Sequence, residues 1–172
     1  MDGATPKPEP AGPSVASHRG MYATKWALGA AIPLLVWAAV VPNLSGTWKL
    51  NQQKSHWGKK ANPTSVIVEI QHHEPDWKYS GTIIEATNDE KKFAYDGAID
   101  GTEHDATSAY GPGKMTMQRV NRFTILSTFH TADGRFVETA RTTSTDGSEM
   151  TRRMHLKSPE GEISWVEVYD KQ

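Results

Sequence analysis

Hydrophobic and polar residues alternate with a period of two along most of residues 44–172. The alternation is clearest in residues 64–73 and 122–130. Because successive side chains of a β-strand point to opposite faces, this pattern predicts strands with one buried face. Turn-forming pairs such as Asp133-Gly134 separate the runs at short intervals, which leaves no room for crossover helices. The predicted strands are therefore antiparallel neighbours in a meander.

Ten strands are predicted, at 45–51, 64–73, 76–87, 90–97, 103–109, 114–119, 122–130, 134–144, 148–157 and 161–170. Strands joined by hairpins in this number close most naturally into an up-and-down barrel, because closure removes the exposed edges of a flat meander. A two-sheet sandwich stays open, since turn chemistry does not exclude it. Gly81, inside the third strand, fits a bend where the sheet curls. The predicted fold class is an all-β antiparallel barrel over residues 44–172.

An apolar segment precedes the strands, and its residues 26–41 carry no charge. Residues 21–41, at a helical rise of ~1.5 Å per residue, just span a hydrocarbon core of ~30 Å. Pro33 would kink such a helix. The alternative is a cleaved signal peptide, in which Lys25 is the positive residue before the apolar core. We expect residues 21–42 to be a transmembrane anchor or a signal sequence.

The residues before this segment predict its orientation. Residues 1–20 are rich in Pro, Gly, Ala and Ser and predict a disordered tail. A tail this short normally stays in the cytoplasm while the larger C-terminal part is exported. We therefore expect a single-pass protein of the inner (cytoplasmic) membrane, with its C-terminal domain in the periplasm or outside the cell. The sequence leaves open whether translation starts at Met1 or at Met21.

The first predicted strand carries a recognisable motif. Gly46-Thr47-Trp48, within LSGTWKL, resembles the Gly-x-Trp signature that opens the barrel of lipocalins and fatty-acid-binding proteins. The run SGTWKL, followed by Lys54-Ser55, is similar to a family of exported, uncharacterised bacterial lipocalin-like domains. The resemblance implies a calycin-type barrel, with Trp48 packed across its floor.

The same resemblance directs attention to the late strands. Fatty-acid-binding proteins hold the ligand carboxylate with Arg-x-Tyr on the last strand, whereas this chain has Glu167-Val168-Tyr169, with an acid where the Arg is expected. A fatty-acid clamp is therefore not supported. Lipocalins often stack a late-strand Arg on the floor Trp, and Arg152 is the candidate for that role. The inward residues expected to line or fill the interior are Trp48, Tyr79, Tyr95, Phe129, Arg152 and Trp165, together with Phe123 and Phe136.

Sequence motifs for catalysis, cofactors and metals are missing. The chain has no Cys, no Gly-x-Ser-x-Gly, no phosphate loop and no His-Glu-x-x-His. His104, His130 and His155 would have to meet at one rim to hold a metal ion, and the acidic residues 96–105 lack the calcium-loop spacing. We predict no enzyme, cofactor or metal site. A net charge of −1 gives no indication of a nucleic-acid surface.

One basic cluster follows the first strand. Lys54, Lys59 and Lys60 flank Trp57, and a solvated loop is favoured over one that rests on anionic lipid headgroups.

Two functions remain. The first is an accessory, structural subunit of a larger membrane protein complex, which the helix would contact in the lipid. The alternative is a lipocalin-like binder of a small apolar ligand or lipid. Large aromatic residues at the inward positions favour a mostly filled barrel, and therefore the first function.

Overall fold

The period-two alternation forms a closed barrel of ten antiparallel strands in the computed structural model, which describes residues 41–172. The strands are β1 (Gly46–Leu50), β2 (Ser65–His73), β3 (Asp76–Ile84), β4 (Glu90–Ala98), β5 (Glu103–Ser108), β6 (Gly111–Asn121), β7 (Thr124–Thr131), β8 (Val137–Thr143), β9 (Glu149–Ser158) and β10 (Gly161–Lys171). Neighbouring strands pair in chain order, and β1 pairs with both β2 and β10. The predicted all-β antiparallel barrel is confirmed, and the two-sheet sandwich is excluded.

The barrel has two ends, which we name the floor and the mouth. The floor is the end at which β1 begins with Gly46, and the mouth is the end at which β1 finishes with Leu50. Every odd-numbered strand runs from floor to mouth and every even-numbered strand runs back, because all neighbouring pairs are antiparallel. Loops 51–64 and 85–89 therefore lie at the mouth.

β6 begins three residues earlier than predicted. The sequence places its start at residue 114, but the strand already begins at Gly111. The chain reverses at residues 109–110, where the Tyr110 N–H donates to Ser108 Oγ over 3.0 Å. Gly111 follows with a φ of 116°, a conformation that favours glycine. Pro112 is tolerated here because a residue that lacks an N–H disturbs a ladder least near the start of a strand.

The predictions for the N-terminal part lie outside the described residues. They concern the disordered tail at residues 1–20 and nearly all of the apolar segment at 21–42. In the described residues 41–172, no helix has the length and apolar character that crossing a membrane requires.

Trp48 closes the floor of the barrel. Its side chain is completely buried, and its Nε1–H donates to the Leu44 carbonyl over 2.8 Å. The Leu44 N–H in turn donates to Nδ1 of His72 over 3.2 Å. Burial lowers the pKa of His72 to about 4, so its ring is neutral and able to accept this bond. The chain segment before β1 is thus tied across the floor.

The predicted stacking of Arg152 on Trp48 is wrong. The cation over the Trp48 ring is Nζ of Lys171, 5.5 Å from the ring centroid. The strand register gives the reason, since Lys171 lies directly opposite Trp48 whereas Arg152 lies opposite Glu167. Arg152 therefore occupies a different level of the barrel.

Large side chains fill most of the interior. The largest side chains with almost no exposed surface are Trp48, Tyr95, Phe129 and Tyr169. Gly81 contributes to this packing, because a Cβ at this position would overlap the Phe93 ring and lie 2.7 Å from the Ile67 carbonyl oxygen. Its role in bending the sheet stays a prediction. Close packing explains why little free space is left inside.

Replacing Trp48 by Ala tests the importance of the floor. The variant removes a fully buried indole and its hydrogen bond, so we expect the free energy of unfolding to fall by about 3 to 5 kcal/mol. Urea denaturation of residues 41–172 measures it. Ile67→Ala, at an exposed position on β2, is the control and should change the midpoint little. Equal effects of the two changes would contradict a structural role for Trp48.

Candidate ligand-binding cavity

The segment between β1 and β2 crosses the mouth of the barrel along β10. His56 and Val166 exchange two backbone hydrogen bonds of 2.8 Å, and the Asn51 N–H donates to the Val168 carbonyl over 2.7 Å. These bonds hold Trp57 in a buried position at the mouth. We call residues 51–64 the mouth segment.

The expectation of a solvated basic loop is wrong for part of this segment. Trp57 is buried rather than exposed, and Nζ of Lys60 lies 5.8 Å from its ring centroid and 5.3 Å from that of Trp165. Lys54 is bound elsewhere, by Glu149 and Asp170. The mouth segment contributes walls to the interior because indole rings bury apolar area and also attract a cation to their faces.

A cavity of about 60 Å³ lies below the mouth segment. Its charged and phenolic walls are Lys60, Tyr79, Glu85, Tyr110, Glu138, Arg152, Glu167 and Tyr169, and its apolar walls include Trp57, Phe93, Met115, Met154 and Trp165. A second space of about 30 Å³ lies on the floor side, where Tyr79, Phe93 and Arg152 line it as well. Ligand pockets usually measure ~300 to 1,000 Å³, so the barrel has room for only a few water molecules unless side chains move.

The best-satisfied charge in the cavity belongs to Glu167. Its Oε2 accepts from Arg152 Nη1 over 3.3 Å and from the Tyr169 hydroxyl over 2.9 Å. Its Oε1 accepts from Trp165 Nε1 over 2.7 Å. Three donors thus satisfy the carboxylate oxygens, and Arg152 forms an ion pair with them. The acid of the Glu167-Val168-Tyr169 sequence is therefore paired inside the barrel.

Glu138 is the second inward carboxylate. Its neighbours across the ladder are Phe129 on β7 and Leu156 on β9, both of which face the interior. No hydrogen bond to its carboxylate occurs among the described residues, although Arg152 and Lys60 act on it through space. Burial raises the pKa of Glu138 to about 7, with a smaller contribution from Glu167. Near neutral pH this side chain therefore changes between the acid and the carboxylate.

The predicted site residues are divided between two parts of the barrel. Tyr79, Arg152 and Trp165 line the cavity. Trp48, Tyr95 and Phe129 are packed outside its walls, Trp48 at the floor and Tyr95 with its hydroxyl donating to the Ala98 carbonyl over 2.9 Å. Of the two additional aromatic candidates, Phe136 packs on the core and stacks on Tyr110, whereas Phe123 lies in the β6–β7 turn next to Arg122.

Several cavity residues were not predicted from the sequence. They are Trp57, Lys60, Phe93, Tyr110 and Glu138. A signal for Glu138 existed, because it shares the parity of Phe136 and Ala140 in a predicted strand. Trp57 and Lys60 gave no such signal, since a loop has no fixed alternation.

Each of the three candidate histidines is paired with a different carboxylate. Nε2 of His104 lies 3.2 Å from Asp100, Nε2 of His130 lies 3.0 Å from Glu103, and Nε2 of His155 lies 3.3 Å from Glu162. Residues 41–172 contain no group of three His, Cys, Asp or Glu side chains suited to hold a metal ion.

The chain matches no family model and no curated protein sequence. Solved structures of the same fold do match. As-p18, described as an extracellular fatty acid binding protein, has a TM-score of 0.53 at 16% identity, over 77% of this chain and 99% of that one. The zebrafish ileal bile acid-binding protein complexed with cholic acid has a TM-score of 0.48 at 12% identity, over 74% of this chain and 98% of that one. A Schistosoma mansoni fatty acid binding protein in complex with arachidonic acid has a TM-score of 0.49 at 13% identity, over 75% and 96%.

At this level of identity the likeness to As-p18 defines the fold alone. The chain folds as a calycin-like barrel of ten antiparallel strands, the architecture of fatty-acid-binding proteins. The function has to be argued from the cavity, because one fold supports many functions.

Glu138→Gln tests the electrostatic description of the cavity. The pKa of Glu138 is about 7 when folded against an ordinary 4.5, so ionising it costs stability progressively as the pH rises from about 4.5 to 7. Gln cannot ionise. We therefore expect the variant to gain stability relative to the wild type over this range, on the order of 3 kcal/mol by pH 8.

Urea denaturation of the wild type and the variant at pH 4.5 and at pH 8 measures this gain. Subtracting the wild-type free energy of unfolding from that of the variant at each pH cancels the contributions of the other titrating groups. Glu69→Gln, at an exposed position on β2, should show no such trend. A stability difference between wild type and Glu138→Gln that is independent of pH would contradict the raised pKa.

Proposed function

We propose that this protein is a non-catalytic binder of a small amphipathic ligand, which enters the barrel at the mouth. The observation that carries the proposal is the cavity itself: polar and charged side chains meet aromatic ones inside an otherwise filled barrel. Glu138 is half-buried and has no hydrogen-bond partner among the described residues, and a purely structural barrel gains nothing from this arrangement, because withdrawing a carboxylate from water costs free energy. As-p18, which has this fold, is a fatty acid binding protein, and this agrees with a ligand inside the barrel.

A ligand larger than a few water molecules requires the walls to move. One candidate for this movement is the mouth segment, and the other is the seam between β4 and β5. These strands pair only at Ala94 with Thr107 and at Tyr95 with Ala106. Residues 90–93 of β4 have no partner on β5, and Phe93 lines both internal spaces. Since few ladder bonds hold the seam, it opens at a lower cost than the rest of the barrel.

A membrane-bound accessory subunit is the second candidate. The observation that favours it is the small free volume, because a carrier needs more space than about 60 Å³. Membrane attachment, export and a partner complex rest on the apolar segment at 21–42 alone. In this case the barrel would cover the extracytoplasmic face of the partner.

Filling the cavity tests the first candidate. Val66 lines the cavity on β2 and the next residue, Ile67, points outwards, so Val66→Phe and Ile67→Phe place the same side chain inside and outside the barrel. Calorimetric titration with decan-1-ol should show saturable binding to the wild type and to Ile67→Phe. Val66→Phe should bind at least about tenfold more weakly, which corresponds to ~1.4 kcal/mol. Circular dichroism confirms that both variants fold. Equal affinities of the two variants would place binding outside the cavity.

Gentle detergent extraction of the full-length protein tests the second candidate. An accessory subunit should migrate well above its chain mass of 19.0 kDa after the micelle is subtracted, and a second protein should co-migrate with it. Residues 41–172 alone, which lack the apolar segment, are the control and should run as a monomer. A full-length monomer that retains a lipid through purification would exclude the accessory subunit and support the carrier.

A further inference from the structure

Three carboxylates and one guanidinium line the cavity. Glu85 is paired with Lys91 over 3.3 Å, and Glu138 and Glu167 lie on the strands that flank β9, which carries Arg152. Arg152 already donates to Glu167 over 3.3 Å, whereas Glu138 has no hydrogen-bond partner among the described residues. Lys60 lies further out, over the Trp57 and Trp165 rings. A negatively charged head group placed below the mouth would therefore face Glu138 and Glu167, with Arg152 already engaged by Glu167 and Lys60 held over the two indole rings.

Polar groups of the cavity that have no hydrogen-bond partner indicate which ligand groups would fit there. A carboxylate only accepts hydrogen bonds, so Glu138 needs a donor. Glu138 is half-buried, an acceptor withdrawn from water without a partner is costly, and hydrogen bonds to charged groups are the stronger kind. Trp57 Nε1 is a buried donor without a partner in residues 41–172, on the mouth side of the same cavity. A hydroxyl group both donates and accepts, and so fits between such walls.

We propose that the head group of the ligand is a hydrogen-bond donor, a hydroxyl or an amine received by Glu138, and that the cavity rejects a carboxylate on the same alkyl chain. This rests on the proposed binding function and specifies its ligand class. The chain would thus use the architecture of fatty-acid-binding proteins with the opposite polarity of head group. The aliphatic part packs against Met115, Met154 and Trp165, which are apolar walls of the same space.

The ionisation of Glu138 makes the discrimination depend on pH. Burial raises the pKa of Glu138 to about 7, so the repulsion of a carboxylate is strong at pH 8 and weak at pH 5.5. The charged and titratable groups that line the cavity with Glu138 are Lys60, Tyr79, Glu85, Tyr110, Arg152, Glu167 and Tyr169. Burial raises the pKa values of the three tyrosines, which are therefore neutral at both pH values. Glu167 holds its three hydrogen-bond donors, and Glu85 is paired with Lys91 over 3.3 Å.

Three ligands with one chain length separate the head-group effect from the apolar contribution. Octan-1-ol, octylamine and octanoate are titrated into residues 41–172 at pH 8, with calorimetry as the readout. We expect the alcohol and the amine to bind at least about tenfold more tightly than octanoate, because one charge-assisted hydrogen bond is gained instead of a repulsion. At pH 5.5 the disadvantage of octanoate should shrink to about threefold or less, since Glu138 is then protonated.

Two variants assign the effect to one side chain. Glu138→Gln should bind octanoate more tightly and octylamine more weakly at pH 8, so that the preference falls below about threefold. Glu69→Gln, with its side chain outside the barrel, should behave as the wild type. If octanoate binds the wild type best, or if Glu138→Gln leaves the ranking unchanged, the head-group assignment is wrong while the binding function stands. If none of the three ligands binds, the binding function itself is wrong.

Discussion

The simultaneous pairing of β1 with β2 and with β10 is the constraint on which the rest of this structure depends. β1 has only five residues, and it covers β10 only from Tyr169 to Lys171. The mouth segment continues the pairing upwards through His56 and Val166. Closure therefore ends with a loop rather than with a strand, and this loop carries Trp57 and Lys60 into the interior. The mouth segment thus completes the closure of the barrel and also forms one wall of the cavity.

Closure also limits what can lie inside. Each inward position of a small barrel has to share one interior with those of every other strand. Large side chains occupy most of it, and Gly81 gives the Phe93 ring the space that a methyl group would take. The remaining volume is small, and its walls carry charged side chains beside aromatic ones. Electrostatics rather than size thus distinguishes this interior, because Glu138 and Glu167 face it together with Arg152.

The fold could be predicted from the sequence to a large extent, because alternation determines which residues face inwards. All ten strands occur within three residues of the predicted bounds, and Trp48 lies at the floor as the Gly-x-Trp resemblance implied. Alternation does not determine the height of a residue along the barrel axis. Height depends on strand register, which is why Arg152 was wrongly paired with Trp48 and why only half of the predicted site residues line the cavity. The alternation in β8 indicates that Glu138 points inwards, although Glu138 was not among the predicted site residues, and its lack of a hydrogen-bond partner depends on the neighbouring strands.

The mouth segment has a consequence for the rates of exchange. Backbone hydrogen bonds of 2.7 to 2.8 Å hold Asn51 and His56 to β10, and the indole of Trp57 is buried behind them. Under the proposed binding function, a ligand would leave the barrel when these bonds or the β4–β5 seam open, so that a motion of the protein would limit its departure as well as the strength of its contacts. Two ligands of different affinity that wait for the same opening would then leave with similar residence times. The opening of the mouth segment would therefore set the residence time of a bound ligand.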